Sequence, residues 1–444
     1  MNKLKKIIKD EKGSLTVFIS LLFISMILFI TVMIDISKVS AAKVMAQDAN
    51  KMAMNAVMAD YYPDLRHAYG LYAFKNDINQ QARGCVDVTA AGTNRGMVNL
   101  SVSSVNVECD SGYTLGNPVV LKGQIMDEMK YLFEYTEMRD NYVPEDMYLS
   151  SIDANIDRVT SCIEGEKEAE KQKELEEETL EESTQTDAIE ETPSEEEREE
   201  QLKKEQDAET IDATSERLER IKNKYTNGSD IISSINSRDD AFILAEYIEG
   251  FFDGGYMPTD YTLNGYRFDA NLSRVSTDSE REFIMYGDWD TASQRLEDDL
   301  KDLLFYINLM QIIDKPGTPQ SEDANMAEKI KQAETLSETS YENLLNGGTI
   351  NVGVNGKYIY MTYDQLELYL LTKSCLEDET LILQRIGEVV ESNMRASGHG
   401  DFSLTTAYTR ASISSEYVTE TPFIAQLFGR NSEWNLSAVD EAVY

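Results

Sequence analysis

The chain has 444 residues, with 80 acidic against 41 basic side chains, a formal net charge of −39 and a pI near 4.4. A surface this acidic repels nucleic acid and anionic lipid headgroups and argues against both as partners, while 41% hydrophobic residues and 24 tyrosines suffice for a sizeable folded core. Four cysteines (Cys85, Cys109, Cys162, Cys375) and two histidines (His67, His399) stand apart without any zinc-ligand spacing, so no metal or cofactor is expected.

Residues 1–12 form a basic tail, with Lys3, Lys5, Lys6, Lys9 and Lys12 against Asp10 and Glu11. Residues 13–34 carry no charge, and 14 of the 20 residues in 15–34 are Leu, Ile, Phe or Val. As a helix those 20 residues rise about 30 Å, the thickness of a bilayer core. The lysines place the N-terminus in the cytoplasm and residues 35–444 outside. A cleavable signal peptide is the alternative, with Val39-Ser40-Ala41 as its cleavage point. Its apolar core would be shorter, however, and Asp35 and Lys38 intervene, so a retained anchor is the reading.

Beyond Asp35 the pattern turns amphipathic over residues 35–62. Val39, Ala42, Ala46, Ala49, Ala53 and Ala56 recur at alternating spacings of three and four, a seam of small side chains that admits a close neighbour. No Gly or Pro occurs from Ser14 to Tyr62, so one helix of about 45 residues is expected. The seam packs either on the chain's own folded part or on other subunits.

The succession Glu11-Lys12-Gly13-Ser14, apolar span, Ile34-Asp35 and QDANKMAMNAVMADY (47–61) resembles the N-terminus of TadE/TadG-like proteins, pilin-like components of the tight-adherence (Flp-type pilus) system. YYPDLRHAYGLYAF (61–74) is similar to an uncharacterised Gram-positive branch with a large extracytoplasmic region. The resemblance covers residues 10–74 and extends more weakly to EFIMYGD (282–288) and YDQLELYLLTKSCL (363–376). It implies a membrane-anchored assembly protein and a leader junction at Gly13–Ser14. Phe18 stands where the prepilin pattern has glutamate, which leaves Gly13 the alternative role of a helix-start residue at the membrane surface.

The rest reads as an α+β ectodomain in two parts, residues 63–160 and 216–444, interrupted by an acidic low-complexity insertion over 161–215. Residues 85–109 alternate around Gly-Thr-Asn-Arg-Gly and predict a hairpin or two strands, with Cys85 and Cys109 either free or disulfide-linked. Ile125, Met129, Leu132 and Phe133 mark a helix over 118–139. Residues 164–209 hold 21 acidic and 6 basic side chains and predict a solvated segment, helical at its ends and disordered at its centre. Further helices are expected around Ala241–Phe252 and over 289–313, 321–345, 363–376 and 378–396, with strands in 261–272 and 401–418. Asn355-Gly356 signals a type I′ hairpin. The first β region, the hairpin and the last strand are expected to share one antiparallel sheet with helices over one face.

No GxSxG, P-loop, HExxH or GxGxxG motif occurs, and no EF-hand loop. Asp288-Trp289-Asp290 looks like a carboxylate pair, but Asp290 suits a helix cap or first-turn acid. The reading is therefore a non-enzymatic, single-pass surface protein that meets the lipid bilayer and other pilin-like subunits through its seam. A membrane-tethered binding or adaptor module unrelated to pili is the alternative.

Overall fold

The computed structural model describes all residues except 1, 75–77, 94–97, 136–146, 185–194, 255–278, 315–324, 355, 420–433 and 444. In chain order the elements are α1 (Asn2–Ala59), α2 (Pro63–Tyr69), α3 (Ile78–Thr93), β1 (Leu100–Cys109), α4 (Pro118–Tyr135), a 3₁₀ turn (Tyr148–Ser151), α5 (Ile152–Thr184), α6 (Glu195–Lys224), α7 (Gly228–Ser237), α8 (Asp240–Phe251), α9 (Glu280–Tyr286), α10 (Ala292–Asp314), α11 (Met326–Leu345), β2 (Ile350–Asn351), β3 (Tyr360–Met361), α12 (Tyr363–Glu377), α13 (Glu379–Ala396), β4 (Arg410–Thr419) and β5 (Trp434–Val443). Helix and sheet are thus mixed, with helix predominating. Two compact units emerge: Met1–Gln124 with Met394–Tyr444, and Ile125–Asn393.

The first unit is built from both chain ends. Its sheet is antiparallel with order β1-β4-β5; Leu100 and Trp434 both pair with Thr419, and Cys109 pairs with Ala411. Along central β4 the alternation is clean: Ala411, Ile413, Ser415, Tyr417 and Thr419 are buried. α1 covers β5 and β4, and α3 covers β1, closing one core over one face of the sheet.

Three expectations fail in this fold. Residues 85–93 are helical because Ala82, Val86 and Ala90 recur every fourth residue and bury one face of α3 against α1. The Asn355-Gly356 hairpin does not join the large sheet. β2 and β3 have two residues each, and the Asn351 side chain accepts from Gly353 N and Ile359 N in place of a longer ladder. Lys357 N does donate to Val354 O, and Gly356 sits at φ 77°. The last expected strand starts only at Arg410, because residues 402–407 close successive turns such as Phe402 N to His399 O. EFIMYGD, a segment of the weaker resemblance, lies mostly in helix α9. The strand expected over 261–272 lies outside the described residues.

The second unit is helical around α10, whose Leu296, Leu300, Leu303, Leu304, Ile307 and Met310 are all buried. The acidic stretch belongs to this unit. Lys222 pairs with Asp157 and Lys167 with Asp212, so α5 and α6 run antiparallel, helical on both sides of residues 185–194. Those ten residues, the expected disordered centre, lie outside the described ones. Two helix starts are capped by side chains: Asp239 caps α8 by accepting from Ala241 N and Phe242 N, and Thr362 with Gln365 forms a capping box on α12. Gly228 opens α7 where a Cβ would lie 2.1 Å from Leu149 O, a backbone atom. Gly228→Ala is expected to cost about 1–3 kcal/mol, read as a lower urea midpoint of the second unit.

Candidate functional site

The residues singled out by sequence lie along α1, which is long and apolar enough to cross a membrane. Residues 15–30 are exposed all round. From there one side of the helix becomes covered. Thr31 and Asp35 are buried, Val39 is half-buried, Ala42, Ala46, Ala49 and Ala53 are at most 1% exposed, and Ala56 is half-buried. Burial on this side of α1 begins at Thr31, two turns before Val39, and from Ala42 to Val57 the covered side packs on the chain's own sheet and α3. Where α1 passes Tyr417 and Ala438, a small side chain is what lets helix and sheet approach.

Asn50 was not singled out by spacing. It is fully buried, donates Nδ2 to Ala438 O at 2.9 Å, and accepts from the Tyr417 hydroxyl at 2.6 Å; that hydroxyl also lies 3.3 Å from Ala46 O. An asparagine inside an alanine-methionine stripe is the only sequence signal of this polar lock between helix and sheet. Gly13 and Ser14, the expected leader junction, are helical residues of α1.

The remaining candidates stay apart. All four cysteines are free thiols. Val107 N donates to Asn79 Oδ1, and α3 runs antiparallel to β1. Cys85 therefore lies about 9 Å along α3 in one direction and Cys109 about 7 Å along β1 in the other, beyond disulfide reach. Burial pushes the Cys109 thiol up, and Cys375 is fully buried and pushed up further by the same cause, so neither is a ready nucleophile. His399 sits in its turn against Asp64 Oδ2 at 2.8 Å and edge-on to Tyr62. Asp288, not Asp290, serves the turn before α10: it accepts from Asp290 N and from Thr291 Oγ1, and these bonds hold its carboxyl below the usual range. Among the described residues no group of three or more His, Cys, Asp or Glu is placed to hold a metal ion.

In the second unit a cavity of about 390 Å³ is lined by Lys224, Tyr286, Arg295, Asp299, Lys373 and Glu377. Several of its charges are matched within the wall: Lys224 pairs with Asp299, Tyr286 donates to Asp299 at 2.7 Å, and Lys373 pairs with Glu377 at 2.7 Å.

A second polar cluster is fully enclosed. Arg281 and Glu367 form an ion pair at 3.1 Å with both side chains 2% exposed, and Glu246, Glu249, Glu280 and Glu282 are buried on α8 and α9. Burial pushes the Glu367 carboxyl up to about 7; Arg281 pulls it down, and Glu282 and Asp364 push it up again. The folded carboxyl thus keeps its proton to a higher pH than the unfolded one, whose value is 4.5. The stabilisation is full below that lower value and is lost as pH rises through about 7. Thermal midpoints of the second unit are expected to fall between about pH 5 and about pH 8, with a slope on the order of 1 kcal/mol per pH unit, and Glu367→Gln is expected to flatten that fall.

No family model, curated protein or solved structure matches this chain.

Proposed function

We propose that the chain is a non-enzymatic, single-pass surface protein, cytoplasmic at its N-terminus, that serves as a pilin-like subunit or assembly factor of a tight-adherence-type pilus. The observation that carries this reading is the two-part rod α1, bare and apolar from Leu15 and built into a sheet core from Ala42 onward without a break. A simple tether needs only the apolar part. A helix locked rigidly into the folded unit also ties that unit's position to the position of the span, which suits a subunit handled from within the membrane. The five lysines of the tail support the orientation. Because the alanine seam is occupied by the chain's own sheet, packing on other pilin-like subunits falls to the bare faces of residues 15–36.

Photo-reactive benzoylphenylalanine placed at Phe23 and, separately, at the exposed Val44 tests this in the native host. Adducts with a pilin-like subunit are expected from position 23 and none from position 44. If position 23 yields no protein adduct and cells lacking the protein keep their surface filaments, the tethered-module reading replaces this one. Mature protein that begins after Ala41 would remove the anchor altogether.

A further inference from the structure

The sheet of the first unit has a definite end that points toward the span. Phe74 N donates to the carbonyl of Tyr408, just before β4, and Phe74 bridges to Tyr61 beyond the end of α1. Nine residues later Tyr417 reaches Ala46 and Asn50. β4 therefore runs from the far end of α1 back toward the membrane, and its end, Thr419, is flanked by Leu100 of β1 and Trp434 of β5. Ala438 stands level with Asn50. Trp434 lies four residues before it, about 13 Å further along the strand. The same distance along α1 is about nine residues, which brings Trp434 level with Ala41.

Length sharpens this placement. Residues 15–30, bare on every side, span about 24 Å, less than the roughly 30 Å of a hydrocarbon core. The missing length must come from residues 31–36. There one side is covered at Thr31 and Asp35, while Val32, Met33, Ile34 and Ile36 remain exposed and apolar. The folded unit and the lipid thus share this stretch of helix from opposite sides. The strand-end rim, level with Ala41 and about 8 Å of helix beyond Ile36, is uncharged in a chain of net charge −39: among the described residues its exposed Asn99, Ser101, Trp434 and Asn435 carry no ionisable group. Trp434 is 39% exposed there, and an indole at that height is suited to a bilayer interface.

We propose that the strand-end rim formed by the exposed Asn99, Ser101 and Trp434 rests on the outer lipid interface, with the Trp434 indole in the headgroup layer. This rests on the single-span reading of α1, and its occupant is a zwitterionic lipid surface continuous with the bilayer around the span.

The chain has two tryptophans, Trp289 and Trp434, so W289F leaves one indole. The full-length W289F protein is reconstituted into phosphatidylcholine vesicles brominated either next to the headgroup or at the acyl-chain ends. Blue-shifted Trp434 emission, with loss of intensity in the first lipid and little loss in the second, is expected. A companion variant, W289F/W434F/F23W, carries its indole at mid-span and is expected to lose emission in chain-end-brominated lipid. If F23W is quenched and Trp434 emits as in water, the rim does not reach the lipid, although the span stands. If F23W is not quenched, α1 does not cross the bilayer and the rim has no lipid surface to meet.

Discussion

Arg281→Met is expected to destabilise the second unit by about 3–5 kcal/mol, a large share of the 5–15 kcal/mol that holds an ordinary domain together. The guanidinium is enclosed. Its Nε donates to Phe252 O at 2.8 Å, its NH1 reaches Glu367 at 3.1 Å, and Gly254 packs so closely that a Cβ there would lie 3.1 Å from Arg281 Cδ. The neighbouring Glu280 is held from two sides, by Asp253 N at 3.0 Å and by Asn393 Nδ2 at 2.6 Å, which joins α9 to the end of α8 and to α13. Removing the cation leaves the Glu367 carboxylate buried in the fields of Glu282 and Asp364 with its compensating charge gone. Two readouts separate this from a loss of packing. The penalty in urea midpoint is expected to be smaller at about pH 5, where Glu367 is protonated, than at about pH 8. Arg281→Met/Glu367→Leu, which removes both charges, is expected to recover much of the loss. A single variant within about 1 kcal/mol of the wild type at both pH values would show that the pair is a bystander.

This cluster also marks the limit of what the sequence displays. Ser279-Glu-Arg-Glu-Phe reads as a charged helix start facing water, because local pattern carries no record of which helix lies above it. Only the packing of α8, α9 and α12 turns Arg281 inward. Helices with a strong apolar period were legible, and α10 buries the six residues its spacing indicates. The antiparallel sheet was legible as a type. Its third strand was not: β5 carries Asp440 and Glu441, and its Val439 faces outward, 72% exposed, while Ala438 faces in. A seam of alanines announces close approach without naming the neighbour, and here that neighbour comes from the opposite end of the chain. The bare half of α1 was fully legible, because a 22-residue run without charge needs no tertiary partner to be read.

Ala49→Leu is expected to cost the first unit about 1–3 kcal/mol, or to force α1 away from the sheet. Ala49 is fully buried in the row Ala42, Ala46, Ala53, and the added carbons have no space between α1 and the surface formed by Tyr417 and Ala438. Separation of helix and sheet would also break the Asn50 lock, which depends on 2.6 and 2.9 Å bonds. Asn50→Leu attacks the same junction chemically. It strips Ala438 O of its side-chain donor and removes the 2.6 Å partner of the Tyr417 hydroxyl, for a further loss of about 1–3 kcal/mol. On the other side of α1, Val44 and Met52 are more than half exposed. Val44→Ala and Met52→Ala are expected to stay within about 0.5 kcal/mol. Urea unfolding of the full chain in detergent micelles, followed by near-ultraviolet circular dichroism, reads the contrast. If Ala49→Leu were silent while it abolished crosslinks to other subunits, the seam would be an intermolecular surface, and the sheet would close over α1 only loosely.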